Sequence, residues 1–162
     1  MSGLRGFEFS LYFNKVPFVA KLLSGIFSID KIPRNLKEKH FIICNLSPST
    51  LPGSHWIAII RSEKNTLEIF NSLGVENLDN LTPHFKFPNN FELVYNEQKF
   101  QSNVSVKCGF FCIYFIVHRV LNFDMSFEHL IEDIFNYDPN TNETLVTNFC
   151  HKLLNDDENL FD

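Results

Sequence analysis

The sequence lacks any apolar stretch of the roughly 18 residues that a transmembrane helix needs. Its first residues, Met1-Ser-Gly-Leu-Arg-Gly-Phe-Glu-Phe9, contain no apolar core of a signal peptide, so the chain is expected to be intracellular and not secreted. Without secretion, the four cysteines at 44, 108, 112 and 150 are not expected to form a disulfide framework. Nor do they show the paired spacing of a zinc site. Basic residues are short: 14 Lys and Arg stand against 19 Asp and Glu, a net charge of −5 with no basic run, which argues against nucleic-acid binding. Repeats, low-complexity stretches and long linkers are missing too, so residues 1–162 read as a single domain. With one tryptophan and two methionines, nineteen phenylalanines supply the core alphabet. Apolar residues at 44% and charged residues at 20% mark a globular chain.

Pro17-Phe-Val-Ala-Lys-Leu-Leu23 reads as a short helix with proline in its first turn and Ser24-Gly25 past its end. Residues 29–33 read as a turn. Phe41–Leu46 and His55–Ile60 read as buried strands separated by a Pro52-Gly53 turn. Thr66–Asn71 is a third strand, making 55–71 an antiparallel hairpin, and Phe91–Tyr95 a fourth, after a polar loop over 75–90. Residues 109–121 are apolar almost all round and long enough for a buried helix. Two further helices are expected over about 126–136 and 141–154. The order predicts an α+β domain: a small, mostly antiparallel sheet packed against a central buried helix with flanking helices.

Three features bear on chemistry. Cys108 and Gly109 open the central helix, where the dipole and unpaired N–H groups can stabilise a thiolate and hold an oxyanion. Gly109 lacks a side chain, so a substrate backbone could approach closely. A buried structural cysteine is the bland reading. His55 heads a strand and can act as base to a thiol. Five other histidines (40, 84, 118, 129 and 151) compete, but His118 lies roughly 15 Å along the helix from its start. Asn71 is the third feature. A hairpin turn centred on Glu63 sets it directly opposite His55, with Cβ atoms roughly 4.5–5.5 Å apart; a turn centred on Lys64 moves it two residues along, to a diagonal contact. An Asn oxygen there could orient the imidazole, as in Cys-His-Asn triads. Gln101, or Gln98 on the same loop, could supply an oxyanion-hole amide.

His55-Trp56, Phe70-Asn-Ser-Leu-Gly74, Gln101 and Cys108-Gly-Phe-Phe-Cys112 together resemble the adenovirus-type (adenain-like) maturation cysteine proteases, in order and in spacing, over roughly residues 25–121. That family belongs to a clan that includes the SUMO-deconjugating proteases. The seven-residue step from Gln101 to Cys108 resembles the viral group, and the short chain resembles proteases of virophages and Polinton/Maverick elements.

The resemblance implies a papain-like, adenain-like fold and a cysteine endopeptidase acting on capsid or other virion precursor proteins, in a virus factory or virion. Cys108 would be nucleophile, His55 base and acid, and Asn71 the orienter. Gln101 and the Cys108 N–H would form the oxyanion hole, while Trp56 and Gly109 would lie at the substrate cleft. Cys112, one turn on, would point into the core. No metal or other cofactor is implied for the chemistry. Asn71 stands where adenovirus proteases carry a carboxylate, so a thiolate–imidazolium pair would lean more on the helix dipole. Lys107 replaces the Asp of SUMO-type members. Neither the DNA nor the disulfide-linked peptide that activates adenovirus proteases is carried over. A ubiquitin-like deconjugating protease and an inactive interaction module are the rival expectations.

Overall fold

Two short helices, α1 (Phe9–Phe13) and α2 (Pro17–Ala20), lead into five strands: β1 (Leu23–Ser28), β2 (Phe41–Asn45), β3 (Trp56–Glu63), β4 (Thr66–Phe70) and β5 (Glu92–Tyr95). Three helices follow, α3 (Cys108–Leu121), α4 (Phe127–Ile134) and α5 (Pro139–Leu154). The structure, a computed structural model, describes residues 3–47, 50, 55–75, 83, 85, 87, 88 and 90–162. The expected Pro52-Gly53 turn, much of the 75–90 loop and His84 lie outside the described residues.

Alternation along the strands builds two cores. Phe41 and Ile43 of β2, Ala58 and Ile60 of β3, and Phe70 of β4 face α3 together with α1, α4 and α5. Ile42, Cys44, Ile57, Ile59, Leu67 and Ile69 face the other way, onto Ile29, Ile32, Leu36 and Phe87. That is why the strands read as continuous apolar runs: both faces are covered. α3 is buried along nearly its whole length, and Phe70, Phe100 and Phe135 stack beside it, Phe135 on Phe111 of the helix. Its buried Arg119 forms a two-pronged pair with Glu68 of β4, at 2.7 and 2.8 Å.

The sheet is mixed, in the order β1-β2-β3-β4-β5. The central pairs β2–β3 and β3–β4 are antiparallel, whereas both edge pairs, β1–β2 and β4–β5, are parallel. This corrects the expectation of a mostly antiparallel sheet. Each edge strand is reached by a long connection, residues 29–40 and 71–91, and such length is what a parallel neighbour requires. Residues 17–23 are not one helix: α2 ends at Ala20 and Leu23 already begins β1, a half-exposed edge strand without the alternation that would announce it. α5 starts at Pro139, before the expected Thr141, because the Asp138 carboxylate accepts from the Asn140 and Thr141 N–H groups. Among the described residues, no helix is long and apolar enough to cross a membrane.

Candidate active site

The β3–β4 ladder pairs Ala58 with Phe70 and Ile60 with Glu68, the register of a turn centred on Lys64, with an irregularity between Arg61 and Glu63. His55 and Asn71 are therefore not opposed; Asn71 has left the strand. Their side chains meet all the same, His55 Nε2 lying 2.7 Å from Asn71 Oδ1. The Leu73 N–H also points at Oδ1, at 3.0 Å. An N–H can only donate, so the amide atom between them is the oxygen, and His55 carries its proton on Nε2. Nδ1 is left as the basic nitrogen.

Asn71 is itself clamped. Its N–H donates to Asn96 Oδ1 and its carbonyl accepts from Asn96 Nδ2, at 3.0 and 2.7 Å. Asn71 through Gly74 form a turn closed by the Gly74 N–H on the Asn71 carbonyl. Gly74 has φ +76°, and a Cβ there would collide with the Glu97 carbonyl, so the turn needs glycine to pass under the 97–98 backbone.

Cys108 begins α3, which has no side-chain cap, in contrast to α4 and α5, capped by Ser126 and Asp138. Its first N–H groups are therefore not taken by a capping side chain. The Cys108 thiol is buried and lies against the backbone of Trp56, the residue after His55. Burial pushes its pKa above the ordinary 9.0, while hydrogen bonding from the backbone of Trp56, Gly109 and Cys108 pulls the other way and loses. Burial also lowers His55, against the opposing pull of Asn71. Both shifts run against a resting thiolate–imidazolium pair. Burial therefore opposes the expected dipole-stabilised thiolate, while the backbone N–H groups at the helix start favour it.

Gln101 is buried, with its Oε1 2.5 Å from Ser72 Oγ and its Nε2 2.9 Å from the Ser105 carbonyl. Gln98 is exposed, and its carbonyl serves Asn96 instead. Between the two candidates, Gln101 is the one on the Asn71–Ser72 turn. The Phe100 and Gln101 N–H groups both donate to the Ser72 carbonyl, at 2.8 and 3.0 Å.

Trp56 is half-buried, edge-on to Phe9, and its Nε1 donates to the Leu4 carbonyl at 2.8 Å. A Cβ on Gly109 would lie 2.8 Å from Leu4 Cδ1 and 3.0 Å from Leu4 Cβ. What approaches Gly109 closely is Leu4 of the same chain, which corrects the expectation that the missing side chain makes room for substrate. Residues 3–6 brace the start of α3 from outside. Cys112 is fully buried and its thiol donates to the Trp56 carbonyl at 3.5 Å. Among the other described histidines, His118 packs tilted against Tyr114 and Phe149, while His129 and His151 lie on the exposed sides of α4 and α5 and His40 precedes β2. All four cysteines are free, and among the described residues no cluster of His, Cys, Asp or Glu could hold a metal ion.

Sequence reasoning missed Ser72, Asn96, Ser105 and Leu4. Ser72 stood inside the quoted Asn-Ser-Leu-Gly motif without a role; nothing in the sequence marks Asn96 or Leu4.

No protein-family model matches the chain, and no curated protein matches it. Among solved structures it is similar to the central domain of the uncharacterised Lpg1148 protein from Legionella pneumophila, at 12% identity, over 94% of this chain and 99% of that one, with a TM-score of 0.46. Similarity at that level carries no argument about fold or function.

Proposed function

We propose that this chain is a cysteine endopeptidase of papain-like, adenain-like fold that cleaves capsid or other virion precursor proteins during maturation in the infected cell. The observation that carries the reading is the His55–Asn71 hydrogen bond, 2.7 Å long, together with a buried Cys108 thiol held at the backbone of Trp56, the residue that follows His55. A histidine with no chemical task needs no partner that fixes its tautomer.

The reaction follows from the groups present. Cys108 Sγ attacks the scissile carbonyl carbon while His55 Nδ1 takes the thiol proton. Asn71 holds the ring with Nδ1 available and cannot itself take up charge. The Cys108 N–H and Gln101 Nε2 donate to the oxyanion. The tetrahedral adduct collapses, the C–N bond breaks, and His55 returns its proton to the departing amine. Water, deprotonated by His55, then attacks the thioester and frees the acid and the thiol.

The test incubates the wild-type chain and Cys108→Ala with a capsid precursor protein and with a peptidyl chloromethyl ketone. Cleavage by the wild type alone, and covalent labelling at Cys108, are expected. Equal cleavage by both ends the proposal. No cleavage together with an unlabelled Cys108 favours the inactive interaction module, and rapid labelling by a ubiquitin-like or SUMO-like probe favours a deconjugating enzyme.

A further inference from the structure

An oxyanion hole built on a glutamine works only if the amide nitrogen, and not the oxygen, faces the substrate. Gln101 is 2% exposed and cannot sample both orientations in water, so something in the fold must choose. Two contacts do. The Ser105 carbonyl, 2.9 Å away, can only accept, so the amide group facing it is the NH2. The oxygen then faces Ser72 Oγ at 2.5 Å, and the Ser72 hydroxyl must donate to it. Rotating the amide would set its oxygen against the Ser105 carbonyl oxygen. One Nε2 hydrogen is engaged by Ser105, and the other is the one that remains for a substrate oxygen.

Ser72 is fully buried, and its carbonyl accepts from the Gln101 N–H as well, so side chain and backbone of Gln101 are both tied to one residue. That residue follows Asn71, whose oxygen orients His55. The dipeptide Asn71-Ser72 thus governs the base through one side chain and the oxyanion donor through the next.

We propose that Ser72 is a positioning residue for the oxyanion hole: its hydroxyl fixes the polarity of the Gln101 amide so that Nε2 is presented to the tetrahedral intermediate. The proposal rests on the cysteine-peptidase reading and deepens it. Without the hydroxyl, Oε1 becomes a buried acceptor lacking a donor, and the amide swings or rotates to find one.

Two small probes separate this role from a structural one. p-Nitrophenyl acetate acylates a thiol through an oxyanion; iodoacetamide alkylates the same thiol by direct displacement, with none. In Ser72→Ala the Cys108-dependent burst of p-nitrophenolate is expected to slow by about tenfold to a hundredfold, since loss of a whole oxyanion donor costs roughly 10²–10³. Alkylation of Cys108 by iodoacetamide is expected to stay within about twofold, because Cys108 and His55 are untouched. In a Gln101→Ala background, Ser72→Ala should change the burst by less than about twofold, because its partner is gone.

A Ser72→Ala burst equal to wild type, an equal fall of both reactions in a folded variant, or the same loss in the Gln101→Ala background each overturns the proposal. Should Ser72→Ala not fold, Gln101→Glu decides: it keeps an acceptor for the Ser72 hydroxyl but has no N–H, so a normal burst from it overturns the proposal and a lost burst with normal alkylation supports it. A wild-type chain with no Cys108-dependent burst overturns the peptidase reading itself, a different result from a wild-type burst that Ser72→Ala leaves unchanged.

Discussion

Asn71 Oδ1 sits 2.7 Å from His55 Nε2 although the strand ladder pairs neither residue with the other: His55 precedes the first residue of β3 and Asn71 follows the last of β4. The contact belongs to the Asn71–Gly74 turn, with the Leu73 N–H on the amide oxygen and Asn96 holding the Asn71 backbone, and not to strand pairing. Asn71→Ala should therefore lower the Cys108-dependent burst by about tenfold to a hundredfold, the size of a disoriented general base. Asn71→Asp should do something else. A carboxylate beside Nε2–H favours the imidazolium, raising His55 from its burial-lowered value and letting the thiol proton pass to the ring at lower pH. The pH profile of iodoacetamide alkylation of Cys108 should then move to lower pH than in wild type. A profile that stays put would mean His55 is not the partner of that thiol.

Strands β2 to β5 and the central helix were legible because each carries a local signal, an apolar run bounded by turns, and the hydrogen bond between His55 and Asn71 joins two residues that flank such runs. Register was not. A turn centred on Glu63 and one centred on Lys64 fit the residues equally, and the irregularity between Arg61 and Glu63 that accompanies the second has no mark in the sequence. His55 and Asn71 meet in spite of that register because Asn71 reaches back from beyond the strand. β1 was hidden for another reason: it is an edge strand, half-exposed along its length, with a register shift between Leu23 and Gly25. A helix start at Cys108 is visible in sequence, and the burial that opposes a thiolate there is not.

Gly109 and Leu4 are in contact through space that a single methyl would fill. Gly109→Ala sets a Cβ 2.8 to 3.1 Å from three Leu4 side-chain carbons, so residues 3–6 must shift and the Trp56 Nε1 bond to the Leu4 carbonyl is strained or lost. Overpacking of this kind costs about 1–3 kcal/mol. Leu4→Ala in the same chain removes Cγ and Cδ1, and should restore most of the loss. Thermal unfolding of the two single variants and the double variant measures the coupling; additive losses would show that the two residues do not meet.

Stability should be bounded in pH on both sides. His118 is packed against Tyr114, Phe149 and Phe161, and burial lowers its pKa below 6.5, as it does for His55. The unfolded chain then binds more protons than the folded one, so stability is present above 6.5 and is lost as pH falls below it. At the other end, the Cys44 thiol is pushed from 9.0 up to about 12 and the Tyr114 hydroxyl from 10.0 up to about 12. Here the folded chain holds the protons longer, so stability declines as pH rises past 9.0. Melting temperature against pH should trace a plateau between these limits, and His118→Gln should flatten the acid side without moving the alkaline one. An unchanged acid slope in that variant would assign the loss to other groups.

Arg119 and Glu68 test how α3 is fastened to the sheet that carries the base. Both side chains are 4% exposed, joined by two hydrogen bonds, and Arg119 also donates to the Asn122 and Met125 carbonyls at 2.8 and 2.7 Å, closing the C-terminal end of α3. Glu68→Ala leaves the guanidinium buried with its carbonyl partners but no counter-charge, and should cost about 3–5 kcal/mol. For a chain of this size that is roughly a 10 °C fall in melting temperature. Glu68→Leu with Arg119→Leu removes both charges at once, and should cost less than Glu68→Ala alone even though it also gives up the two carbonyl contacts. Cys108 lies at the opposite end of α3, so the intrinsic rate of its alkylation in whatever fraction remains folded should match wild type. Stability lost without any change in that rate separates the fastening of the helix from the chemistry at its start, and a pair variant less stable than Glu68→Ala would show instead that the ion pair contributes more than its desolvation takes away.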